Sequence, residues 1–245
     1  MNSMILSLNT TLTQFSAALM GMDGRLVADF FISPDTGHFT HFMPTVDHLL
    51  SVSQSDLRDL RALAVATGPG SFTGLRVGLS VAKGFCQGLQ IPLIGVSSLE
   101  ALASQPVAAD YPICPLIDSR KEEVFAALFR QDPKKGLIRV TEERSMRIED
   151  LTSFIEGPTF FLGNDFSRQG PLLEKTLGSM ALLAPPVLWS LRASAVGTVG
   201  LGHFHEGRFD DLQTLVPTYL RPPDIRPNSV PPLPEKEQQG AGRTE

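Results

Sequence analysis

The sequence predicts an α/β protein of two lobes, each built on a mixed sheet flanked by helices. Short apolar runs joined by polar turns open the chain, the pattern of an antiparallel meander. Between Leu63 and Ser104 strand-like and helix-like segments alternate, which implies a parallel portion covered by helices. A second strand-bearing unit begins near Tyr111.

The elements follow in order. Met4–Leu8 reads as a buried first strand, Asn9-Thr10-Thr11 as a polar turn, Phe15–Met20 as a second strand and Arg25–Phe31 as a third. Pro44 suits the first turn of a helix running to about Ser53, and Ser55 is placed to cap a second over Asp56–Arg61. Leu63–Thr67 is a strand, about Phe72–Leu89 a helix and Pro92–Val96 another strand. Ser97-Ser98 then caps Leu99–Ser104, with Glu100 early enough to meet the helix dipole. In the second unit Ile113–Ile117, Val124–Arg130, Leu137–Met146 and Thr159–Leu162 read as strands, and Arg192–Glu206 as a helix. The expected division is a first lobe over 1–105 and a second over 106–220, whose last helix (192–206) has the option of packing back on the first. Residues 221–245 are rich in Pro, Gln, Glu and Gly and read as a disordered tail, since they hold too little apolar surface to offset their ordering entropy. No close internal repeat is visible.

Composition narrows the function. The chain has 245 residues, 42% of them hydrophobic and 19% charged, in the range of a soluble globular protein. A net charge of -5 argues against a whole-surface nucleic-acid binder but leaves room for a local basic patch. Cys86 and Cys114 lie in apolar contexts without metal-ligand spacing and read as buried thiols. No apolar run reaches the ~20 residues a spanning helix needs, and the N-terminus lacks a basic leader, so a cytoplasmic protein with no membrane partner is expected.

The stretch from Ala66 to Arg76 is the most specific in the chain. An apolar strand stops at Gly68-Pro69-Gly70, and a helix follows with small residues at Gly74, Gly78 and Ala82. That spacing lines one helical face with residues too small to hold another backbone away. The expectation is a bare face available to another protein, so that Gly78→Arg or Ala82→Arg should leave the fold intact and abolish docking. The turn fits no phosphate template: Thr73 stands where a dinucleotide fingerprint wants glycine, no Gly-Lys-Ser/Thr follows, and Pro69 removes an amide donor. Ser71 does not sit in Gly-x-Ser-x-Gly. His38, His41 and His48 lack the spacing of a metal set, and Asp118–Glu123 is a mixed-charge loop. His203 and His205 lie near a helix end, where imidazole can meet free carbonyls. No catalytic residue and no metal ligand is assigned.

Thr67-Gly68-Pro69-Gly70-Ser71-Phe72-Thr73-Gly74-Leu75-Arg76-Val77-Gly78 resembles the signature of the bacterial TsaB (YeaZ) family. The opening Ile5–Thr11, His38 with Pro44 and Leu49-Leu50, the Asp118–Ala127 strand loop and Pro217-Thr218-Tyr219-Leu220-Arg221 are similar to further family motifs, in order. The resemblance implies the two-lobed actin-like ATPase (ribonuclease H-like) fold and a role in making threonylcarbamoyladenosine in tRNAs that read codons beginning with A. It implies a non-catalytic subunit that binds and activates a TsaD-type catalytic paralogue, is joined by a TsaE-type ATPase, and self-associates as a homodimer. Contact with tRNA is expected only through that complex. The implied docking residues are His38, Phe42, Met43 and Val46 on one helix, and Phe72, Thr73, Leu75, Arg76, Gly78, Leu79, Ala82 and Lys83 on the next. No tightly bound cofactor is implied; a nucleotide at the partner interface is the one small molecule left open, with Asn9, Thr10 and Thr11 as its candidate ligands. The family usually has aspartate at the position of Asn9, and asparagine is the poorer ligand for a hard cation. The competing readings are an actin-fold ATPase or glycoprotease-like hydrolase acting alone, and direct tRNA binding as the main task.

Overall fold

The computed structural model of the chain describes residues 3–11, 14–32, 42–106, 110–119 and 123–221. The first sheet has the order β3-β2-β1-β4-β5, formed by β1 (Met4–Asn9), β2 (Phe15–Gly21), β3 (Leu26–Ile32), β4 (Leu60–Gly68) and β5 (Leu93–Ser97). The first three strands run antiparallel, and β4 and β5 run parallel to β1. Every residue of β1 is buried, because this sheet is covered on both faces. Met4, Leu6 and Leu8 point into a cluster roofed by α1 (Phe42–Val52) and α2 (Phe72–Leu89). Ile5, with Ala64 and Val96 of neighbouring strands, points the other way, toward α3 (Ser98–Ala103) and α5 (Ala193–His205).

The second sheet repeats this plan. Its path is β10-β7-β6-β11-β12, from β6 (Ile113–Asp118), β7 (Glu123–Ala126), β10 (Arg144–Arg147), β11 (Thr159–Leu162) and β12 (Ala181–Leu183). Beyond a break, β8 (Phe129–Asp132) continues the line of β7 and β9 (Gly136–Arg139) that of β10. A three-strand meander followed by two parallel strands therefore occurs twice, the ribonuclease H-like arrangement of an actin-like fold. A single apolar cluster joins the sheets through α3 and α5, including Ile5, Leu99, Leu116, Phe161 and Val196.

Several sequence expectations are corrected. The helix expected over Asp56–Arg61 is a 3-10 turn, Leu57–Asp59, capped by Asp56 rather than Ser55. The Asp56 carboxylate accepts from Arg58 N (2.6 Å), Asp59 accepts from Asp56 N (3.0 Å), and Leu60 enters the sheet. The long strands expected over Val124–Arg130 and Leu137–Met146 each break in two, where the Thr141 hydroxyl accepts from Leu128 N at 2.8 Å. Helix α4 (Phe166–Leu177) was hidden by Gly170 and Pro171, which sit inside it, and β12 went unread.

Residues 192–220, expected in the second lobe with its last helix given the option of packing back on the first, lie mainly against the first sheet. Helix α5 packs on β1, β2 and β4, and the segment after it stays with the first lobe. Asp210 N donates to Leu93 O (2.9 Å), Gly95 N to the Asp210 carboxylate (2.7 Å), and Thr218 N to Thr67 O (2.8 Å). The chain thus completes its first lobe last. His38, His41 and residues 222–245 lie outside the described residues.

Candidate functional site

Strand β4 ends at Gly68, which has φ +118° and a cis bond to Pro69, and Ser71 then caps α2 by accepting from Gly74 N at 3.3 Å. The helix does not stand clear of the chain; it rests on the β1–β2 turn. Thr10 Oγ1 donates to Gly74 O (2.8 Å), and Ser71 N donates to Thr11 O (2.5 Å). A Cβ at Gly74 would lie 1.9 Å from Thr10 O, and one at Gly78 would lie 2.1 Å from Thr10 Oγ1. Only glycine permits these approaches.

This overturns the expectation of an open face at Gly74, Gly78 and Ala82. All three are buried in the monomer, with Leu75, Leu79 and Cys86 beside them. An arginine at 78 or 82 has no room, so neither substitution leaves the fold intact. On α1, Phe42 and Val46 are likewise inward, Phe42 against the Phe15 ring at 5.1 Å. Of the expected docking residues, Met43, Thr73 and Arg76 are exposed, while Phe72 and Lys83 are half-buried.

The outward surface is a different stripe. On α2 it runs through Thr73, Val77, Ser80, Gly84 and Gly88, one to two residues out of phase with the buried stripe. A Cβ at Gly84 or Gly88 would meet nothing within 4 Å. On α1, Met43 (51% exposed) and Val52 (57%) carry apolar surface outward, with Asp47 and His48 on the same exposed side. At the start of α2, Arg76 lies over the Phe72 ring (3.9 Å), which packs on Tyr219 at 5.2 Å, and Arg76 Nε donates to the Tyr219 hydroxyl at 3.1 Å. Sequence reading missed Ser80, Gly84 and Gly88; the signal was present, a second four-residue run of small residues on the same helix.

The candidate phosphate ligands are occupied by the fold. Asn9, Thr10 and Thr11 are all buried. Asn9 Oδ1 accepts from Thr11 N (3.0 Å) and Thr11 Oγ1 (2.7 Å), and its amide nitrogen donates to Leu191 O (2.9 Å). An aspartate could not make that last bond, which gives asparagine a structural reason here. In this structure the polar atoms of these candidate nucleotide ligands serve the turn, α2 and the Leu191 carbonyl.

Other titratable groups form a seam between the lobes. Arg139 pairs with Glu143 (3.0 Å) and Glu100 (3.4 Å), and the Ser97 hydroxyl donates to Glu143. His203 meets Glu100 (3.9 Å) and Arg208 (3.0 Å), and does not serve the carbonyls at its helix end. Burial pushes the Glu143 carboxyl up, whereas the adjacent His203 ring, with Arg139 and Arg208, holds Glu100 down. Asp118 accepts from Asn164 (3.1 Å) and Gln169, and Glu123 accepts from Ser145 (3.0 Å) and Arg221 (3.4 Å); Arg120–Glu122 lie outside the described residues. Cys86 and Cys114 are buried free thiols, Cys86 pushed up by burial to about 12. Among the described residues no group of three or more His, Cys, Asp or Glu is placed to hold a metal ion, and no helix is long and apolar enough to cross a membrane.

Comparison with known proteins agrees with this architecture. The family model described as TsaD, tRNA N6-adenosine threonylcarbamoyltransferase, matches residues 32–159. The tRNA threonylcarbamoyladenosine biosynthesis protein TsaB of Bacillus subtilis is 31% identical over 89% of this chain and 93% of its own. That of Escherichia coli is 36% identical over 52% of this chain and 55% of its own. The solved structure of YeaZ from Pseudomonas aeruginosa superposes with a TM-score of 0.75 at 23% identity, covering 89% of this chain and all of that one.

Proposed function

The chain belongs to the TsaB family of tRNA threonylcarbamoyladenosine biosynthesis proteins, and from that premise we propose that it is the non-catalytic docking subunit of the pathway. In this reading it binds and activates a TsaD-type catalytic paralogue, a TsaE-type ATPase joins the pair, and the free chain self-associates through the same surface. The docking surface is the outward stripe of α2 together with exposed α1, not the stripe the sequence first suggested.

The supporting observation is the Gly84/Gly88 pair. Glycine inside a helix costs about 0.5–1 kcal/mol relative to alanine. At Gly74 and Gly78 the fold requires it; at Gly84 and Gly88 nothing in the described chain does. A partner helix seated against that bare backbone supplies the missing reason. Two helices meeting two from a partner suit an interface of roughly the standard ~1,600 Å². The reading of an autonomous ATPase or hydrolase draws no support from the β1–β2 turn, whose polar side chains are spent internally.

Gly84→Arg and Gly88→Arg test this. Both are expected to melt at or slightly above the wild-type temperature and to lose co-purification with a TsaD-type protein. Retained co-purification by folded variants refutes the surface, and ATP turnover by the isolated chain refutes the non-catalytic role.

A further inference from the structure

The β8–β9 hairpin and β10 stand apart electrostatically. Residues 130–147 carry six cations and three carboxylates within a chain of net charge -5. Two of the carboxylates are turned to other work. Asp132 accepts from the backbone of Lys134 and Lys135 at 2.8 Å each, holding the hairpin tip, and Glu143 takes the Ser97 hydroxyl and Arg139. Arg139 itself faces the first lobe through Glu100. Arg130, Lys134, Lys135, Arg144 and Arg147 are exposed, and among the described residues none of them pairs with a carboxylate.

Lys134, Lys135, Arg144 and Arg147 follow one line, with Arg130 on the adjoining strand β8. From Lys135 at the hairpin tip to Arg147, the outer strand line of the second sheet extends about 30–40 Å at ~3.3 Å per residue, bent at its central break. Charge on an edge strand also blocks edge-to-edge pairing, but either sign serves that purpose. An excess of one sign along the edge, six cations to three carboxylates with Glu143 turned inward, matches a polyanion. The edge belongs to the second lobe, whereas α1 and α2 cover the outer face of the first, so both surfaces can be engaged at once.

We propose that this edge binds the phosphate backbone of the tRNA being modified, giving the chain a direct contact with the nucleic acid. The inference rests on membership of a tRNA-modifying assembly and selects by charge and shape, not by base sequence. The test compares wild type with the fourfold variant Arg130→Gln, Lys134→Gln, Lys135→Gln, Arg144→Gln, with Arg58→Gln as a control elsewhere. Each is assembled with the TsaD-type protein and titrated with an unmodified tRNA transcript between about 50 and 200 mM salt. The fourfold variant should keep its melting temperature and its partner. Its affinity should fall roughly tenfold or more, and its log–log salt slope should become shallower by about 3. Unchanged affinity and slope overturn the inference. If wild type fails to hold the partner, the docking reading fails separately, and the same titration on the isolated chain decides the tRNA contact: a weaker, flatter response in the variant supports it, and no difference overturns it.

Discussion

Helix α2 carries two glycine pairs at the same spacing, and they do opposite things. Gly74 and Gly78 let the helix close onto Thr10, where a Cβ would lie about 2 Å from an oxygen. Gly84 and Gly88, nearly three turns further along, face open space. One pair is demanded by the chain's own packing; the other weakens the isolated helix without visible return. A small-residue stripe thus says that something approaches closely, and only the three-dimensional contacts say whether that something is the same molecule.

The strongest way to break this comparison is to fill the inner pair. Gly78→Ala should destabilise the fold by about 3 kcal/mol in denaturant titration, because the new methyl must displace Thr10 and the turn around it. A cost below 1 kcal/mol would place the inner face on the same footing as the outer. Attacking the turn from its far side comes next. Asn9→Asp replaces the amide that donates to Leu191 O with a buried carboxylate facing a carbonyl, and should cost about 2–3 kcal/mol at neutral pH. Such a carboxyl titrates high in the folded state, so the loss should shrink as the pH is lowered toward 4. The outer pair should respond with the opposite sign. Gly84→Ala and Gly88→Ala should each add about 0.5–1 kcal/mol to the monomer while weakening self-association seen by sedimentation. Lowered stability in either variant would show a contact the open geometry does not have.

The smallest effect separates α2 from the seam between the lobes. Glu100 titrates below its ordinary 4.5 because His203 lies against it, with Arg139 and Arg208 close by. Its stabilising contribution is therefore present above that value and is lost as the pH falls through the lower folded-state value. Less than about 1 kcal/mol should disappear between roughly pH 5 and 3, and Glu100→Gln should remove that part of the acid dependence. Glu143, held up by burial, has the reverse sign, so Glu143→Gln should be neutral or mildly stabilising at pH 7. Equal losses from both substitutions would contradict the assignment.

Much of the fold was legible. The bounds of α2 and β11 follow from sequence alone, since caps and apolar period agree there. Buried thiols were read correctly from their apolar neighbours. The site was legible only to the level of the helix. Periodicity identifies which residues share a stripe, but Gly78 and Gly84 have the same side chain and only the position of Thr10 tells them apart. The second lobe was the least readable part because its signals conflict locally. Pro171 sits inside a helix, and a one-sided break at Leu128 splits two strands, so the repeated strand order stayed hidden. The role of Asn9 needs a partner 182 positions away.

The late return of the chain has a mechanical consequence. The polypeptide passes between the lobes twice, beyond Gln105 and before Arg192, and the two passages are tied together where Arg192 N donates to the Gln105 side chain at 3.1 Å. The apolar cluster shared by the two sheets reinforces that tie, so the lobes are joined by covalent chain, hydrogen bond and buried surface on one side of the first sheet. Helices α1 and α2 lie on the opposite side of that sheet. A protein clamped to them leaves the junction of the lobes uncovered.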